Sequence, residues 1–91
     1  MKIAAAEVYF GKNIDGVPDK LYAYKIPPNM AVNAGSLVVI PGNHGGYQLA
    51  RVYMVNTNPT WTAGVSWKWI VQVVDTSDYE ARLRLEKLLS T

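Results

Sequence analysis

The chain contains no cysteine, so disulfide staples and cysteine-ligated zinc sites are excluded. Histidine is nearly absent as well. His44 is the single copy and has no second histidine or cysteine beside it, so neither a metal site nor a cofactor is expected. Charge is sparse: 18% of residues are charged and the net charge is +2, less than the clustered Lys and Arg of a dedicated nucleic-acid binder. Unbroken apolar runs are missing too. The uncharged stretch 26–50 carries Pro27, Pro28, Asn33, Gly35 and Pro41, which rule out a membrane helix. Near the start, Lys2 precedes IAAA and Glu7 interrupts before a signal-type apolar segment is complete. The expectation is a soluble, cytoplasmic protein with no membrane partner.

Catalytic constellations are also lacking. Asp15, Asp19, Asp75 and Asp78 all read as turn or cap residues. His44 has no placed partner with which to activate a Ser or Thr nucleophile. The loop GNHGG at 42–46 lacks the Lys-Ser/Thr of a phosphate-binding loop and does not run into a helix, so it reads as a hairpin. No catalytic residue is assigned and an enzyme is not expected.

What the chain does have is punctuation. Ninety-one residues at 49% hydrophobic content suffice for one core and one domain. The sequence predicts β-strands at 2–10, 21–26, 36–41, 47–56 and 67–74, separated by Pro- and Gly-containing turns, with 11–20 (GKNIDGVPDK) as turn chemistry throughout. LVVI at 37–40 is apolar on both faces, as a strand in a barrel wall would be. Met30 and Val32 are expected to fold back on the core. In strand five, Trp67, Trp69, Val71 and Val73 alternate with Lys68, Ile70, Gln72 and Val74, and both tryptophans are expected in the core and wall.

The period then changes from 2 to 3.6. Ser77-Asp78-Tyr79-Glu80 fits a capping box, and Tyr79/Leu83 with Ala81/Leu85/Leu88/Leu89 leave apolar stripes. These stripes would pack on the chain's own sheet, or, if the sheet is already closed, meet a partner or a second copy. The predicted fold is mainly β: a small, strongly bent antiparallel β-barrel of five to six strands over residues 1–76, with one C-terminal α-helix over 77–91 in the same domain.

The order of these signals carries a resemblance. Tyr22-Ala23-Tyr24, Ile26-Pro27, Val32-x-Ala34-Gly35, Val39-Ile40-Pro41, Arg51-Val52-Tyr53 and Val71-Gln72-Val73-Val74-Asp75 follow one another much as in the N-terminal domain of the primosomal helicase PriA. The resemblance runs from about residue 4 to residue 89. It implies a β-barrel that binds the 3′ end of a DNA strand, with the middle residue of a Phe-Asp-Tyr strand lying in the end-binding pocket. This chain has Ala23 at that place. Small single-domain chains of this kind are common in phage genomes, which makes a phage-encoded protein the expectation.

The candidate binding residues are Tyr22, Tyr24, Lys25, Tyr47, Arg51, Tyr53 and Lys68, on strands two to four and the start of strand five. Bases stack on aromatic faces while Lys and Arg follow the phosphates. The plainer alternative is that tyrosines in a small barrel bury their rings and leave their hydroxyls in water. Tyr47, Arg51 and Tyr53 share one face by the period-two rule. Trp61 lies in a loop beside Pro59 and Gly64. It is either an anchor for a partner protein or a base, or a lid over the open end of the barrel. The leading expectation is therefore non-enzymatic binding of nucleic acid, as single-stranded DNA or DNA ends. The alternative is a protein-interaction module that docks on a host or replication protein through Trp61 and the helix.

Overall fold

The computed structural model describes residues 2–10, 18 and 20–90. The turn expected at 11–20 lies outside the described residues apart from Pro18 and Lys20. Among the described residues five strands are formed: β1 (Ala5–Tyr9), β2 (Tyr22–Lys25), β3 (Leu37–Pro41), β4 (Tyr47–Asn56) and β5 (Gln72–Val73), followed by helix α1 (Ser77–Leu89). They make one sheet in the order β2-β1-β4-β3-β5, and every neighbouring pair is antiparallel. The fold is mainly β, with a single C-terminal helix.

β4 is the spine of the sheet, because its ten residues serve both β1 and β3. Its alternation is plain: Ala50 and Val52 are buried, while Leu49, Arg51 and Tyr53 are exposed. Against β1 the register shifts between Glu7 and Val8, so Tyr53 falls between the pairs Val8–Val52 and Glu7–Met54. Such a bulge bends a strand and increases its twist. The end of β2 also meets the segment that precedes β5. Lys25 N–H donates to the Lys68 carbonyl (2.8 Å) and Ile70 N–H donates to the Lys25 carbonyl (2.9 Å), a parallel bridge between the end of β2 and the segment entering β5.

Inside the curl lie Val8, Val38, Ile40, Val52 and Ile70, with Ala6, Ala50 and Ile26. The connection at 29–35 folds back as expected: Val32 joins this core and Met30 packs against it. It ends in a turn in which Ser36 N–H reaches the Asn33 carbonyl and the Ser36 hydroxyl accepts from Asn33 N–H. Gly35 there takes φ 90°, the positive value that the third position of a type II turn needs. The loop 42–46 is the predicted hairpin, closed by Gly42 N–H on the Gly46 carbonyl (2.9 Å).

Three expectations are corrected. Strand five is regular only at Gln72 and Val73, with an isolated bridge at Trp69. Ile70 and Val73 both turn toward the core; being three residues apart, they break the two-residue alternation that the sequence suggested. Consequently Ile70, not the tryptophan beside it, fills the interior, and Trp69 is 43% exposed. The capping box does not form. Thr76 is the N-cap and makes no side-chain cap bond, while Ser77 N–H and its hydroxyl both donate to the Asp75 carboxylate (2.9 and 2.6 Å). Finally, α1 does not pack on its own sheet: none of its residues is buried, and no Cα of α1 lies within 8 Å of a strand Cα. The inward positions of the sheet are filled by its own Val8, Val38, Ile40, Val52 and Ile70 together with Val32, so none of them relies on α1 for cover.

Candidate nucleic-acid interface

The seven candidate side chains divide between two surfaces. Tyr22, Tyr24 and Lys68 come together with Ala23, Trp67 and Asn43 around an open cleft of about 460 Å³ between β2 and the segment 65–68. Register explains the grouping. β2 pairs with β1 so that Tyr22 stands opposite Val8 and Tyr24 opposite Ala6, two inward-facing positions. Tyr24 therefore packs against the core, and Tyr22, nearer the open end, stays 37% exposed. Burial, with a smaller push from the neighbouring Tyr22, raises the Tyr24 phenol above its ordinary pKa. It remains a neutral hydrogen-bond donor at physiological pH.

Aromatic and cationic groups surround this cleft. The Phe10 ring lies 5.2 Å from that of Tyr22, and the Lys20 ammonium stands 5.0 Å from the Tyr22 centroid. Lys25 points to the outer side of β2, where its ammonium sits 5.3 Å from the Trp69 ring. Both contacts fall within cation–π reach, the first of them at the cleft-lining Tyr22. The Trp67 indole N–H faces the Thr62 carbonyl at 3.4 Å, and its ring meets that of Trp61 at 5.3 Å.

The other surface is the outer face of β4. Arg51 lies between Tyr9 on β1 and Leu37 on β3, and its Nη1 donates to the Gly35 carbonyl (2.9 Å). Tyr53 meets Tyr9 edge-on at 6.3 Å. Tyr47 shares this face but is six residues from Tyr53, about 20 Å along the strand. The Arg51 guanidinium is thus partly engaged in bracing the turn at Gly35. Trp61 does not project: it is half-buried, and its indole N–H donates to the Ile3 carbonyl (3.1 Å). Nearby, Lys2 bonds to the Asn58 side chain, so loop 57–62 straps the N-terminal segment.

Sequence reasoning missed Phe10, Lys20 and Trp67 at the cleft and Tyr9 beside Arg51. The pair Tyr9-Phe10 was visible as the end of a strand, but only the bulged register with β4 puts Tyr9 opposite Arg51, while Phe10 meets Tyr22 across the separate β1–β2 pairing. Among the described residues no cluster of three His, Asp or Glu side chains is placed to hold a metal ion, and no helix is long and apolar enough to cross a membrane. Comparison of the chain with protein-family models, curated proteins and solved structures gives no match.

Proposed function

We propose that the chain is a non-enzymatic binder of single-stranded nucleic acid. The observation that carries this reading is the gathering of Tyr22, Tyr24, Trp67 and Lys68 around one open cleft, with Lys20 over the Tyr22 ring and Lys25 on the outer side of the same strand. Bases would stack on the exposed parts of Tyr22 and Trp67, each stack contributing about 1–3 kcal/mol, while the three lysines follow the phosphates. The resemblance to the PriA N-terminal domain supports the same location, because Ala23, at the place of that family's pocket aspartate, lines this cleft. A methyl group offers no acceptor for a 3′ hydroxyl, so binding is proposed to follow the strand and to be indifferent to its end.

The fold belongs to this proposal. We infer that the sheet is a small barrel whose seam is the pair of hydrogen bonds joining Lys25 to Lys68 and Ile70. The seam fixes Lys68 next to β2, and without it the cleft would have no second wall.

A tryptophan-fluorescence titration with short single strands and duplexes at low salt tests the reading. Three lysines predict a log–log salt slope of about −2 for single strands, and Tyr22→Ala or Lys68→Ala should each weaken binding about tenfold. A 3′-phosphorylated strand should bind as well as a 3′-hydroxyl one. Absence of saturable binding overturns the proposal, and a loss with Arg51→Ala larger than with Lys68→Ala moves the interface to the face of β4. Docking of a partner protein on Trp61 draws less support, since the indole is already committed to Ile3.

A further inference from the structure

Phe10 belongs to both surfaces of the molecule. Its ring lies 5.2 Å from that of Tyr22, which lines the cleft. It also lines a second depression of about 430 Å³, with Tyr9, Leu37, Leu49 and Arg51, on the outer face of β4. Phe10 directly follows the last residue of β1, so it stands at the rim of the sheet, where the inner and outer faces meet. There it is 46% exposed. Register puts Tyr22 and Arg51 on opposite faces, yet the cleft and the Arg51 face are neighbours across this one aromatic ring.

Arg51 suits a phosphate beyond the rim. Its Nη1 donates to the Gly35 carbonyl (2.9 Å), which holds the side chain in place. The remaining guanidinium N–H groups meet no carboxylate among the described residues. A guanidinium fixed at one nitrogen keeps a planar set of donors for a phosphate oxygen pair. Tyr9 stands opposite Arg51, so Phe10 is one residue from the position that faces the guanidinium. The order along the surface is Tyr22 with Lys20 above its ring, then Phe10, then Arg51. Rings and cations alternate, as stacked bases and their phosphates require.

We propose that a nucleic-acid strand leaving the cleft crosses the rim over Phe10 and lays its next phosphate on Arg51, so that the site spans about four nucleotides. The inference rests on the cleft reading and extends it from one face of the sheet to the other. Tryptophan-fluorescence titration of the full chain with trimeric and hexameric oligothymidylate tests it. The trimer, which the cleft holds alone, should bind the wild type, Arg51→Gln and Phe10→Leu alike, and that equality also shows that both variants are folded. The hexamer should bind the wild type about thirtyfold tighter than the trimer. Extra binding registers alone supply a factor of about four, and each substitution should reduce the gain toward that factor. For the hexamer the log–log salt slope should be shallower by about 0.7 in Arg51→Gln, the share of one phosphate contact on a single strand. A wild-type gain no larger than the registers explain overturns the proposal, and so does a gain that survives both substitutions; trimer binding then leaves the cleft reading standing. If neither oligonucleotide binds, the cleft reading fails and the proposal fails with it.

Discussion

Gly42 shows how one residue type can be required by approach alone. A Cβ at this position would stand 2.8 Å from the Gly45 carbonyl oxygen, a backbone atom. Gly42→Ala must therefore open the hairpin, and chemical unfolding should show a loss of about 1 kcal/mol or more. Asp75 illustrates a different economy. Hydrogen bonds from the Ser77 hydroxyl, and then from Ser77 N–H, hold its carboxyl below the ordinary carboxylate range. A group whose pKa is lowered on folding contributes stability that is fully present above its unfolded pKa and lost as pH falls through the folded one. Fraying of the first turn of α1 should accordingly appear only below about pH 4, and Asp75→Asn should remove that acid dependence in an NMR titration of the Ser77 amide. Trp61 was ambiguous in the sequence because a loop tryptophan has no periodicity to declare its surroundings. Its bond to Ile3 and its contact with Trp67 make it a strap, so Trp61→Ala should cost about 2 kcal/mol, some half of what a fully buried aromatic costs.

Among the elements, the span of β4 was legible, because Tyr47–Asn56 is bounded by Gly46 on one side and a loop on the other, but its alternation changes phase at the bulge, beyond which Val55 and not Met54 packs on the core. β5 was not. A run of Trp, Ile and Val reads as a long strand, yet Ile70 and Val73 face inward at a spacing of three, and only the geometry of the meeting edges requires that. The helix was visible in its period, but its start was misread: Ser77-x-x-Glu80 satisfies the capping pattern while Asp75, two residues earlier, takes the Ser77 N–H. The proposed seam gives a prediction at this scale. If β2 and the segment entering β5 are joined, the Lys25 and Ile70 amides should exchange with solvent as slowly as those of Val38 and Ala50 in the middle of the sheet, since all would open only with the whole fold. Exchange hundreds of times faster at Lys25 and Ile70 would mean an open sheet. Ile70→Ala, at 2% exposure, should cost about 2–5 kcal/mol.

At the scale of the whole molecule the body measures 57 × 34 × 27 Å, a curled sheet with a helix standing off it. The residue types of a binding surface were readable in the sequence, since tyrosine, lysine and arginine stand out in short β-strands. Their grouping was not, because it depends on a bulge at Glu7/Val8 and on the meeting of two strands far apart in the chain. The proposed role of the cleft is to take a nucleic-acid strand. Amide and indole chemical-shift mapping with a short oligothymidylate tests this most directly. The account predicts that shifts concentrate at Tyr22, Ala23, Tyr24, Trp67 and Lys68, and that they collapse as salt is raised. Shifts centred on Tyr9, Arg51 and Tyr53, or none at all at millimolar oligonucleotide, would contradict it.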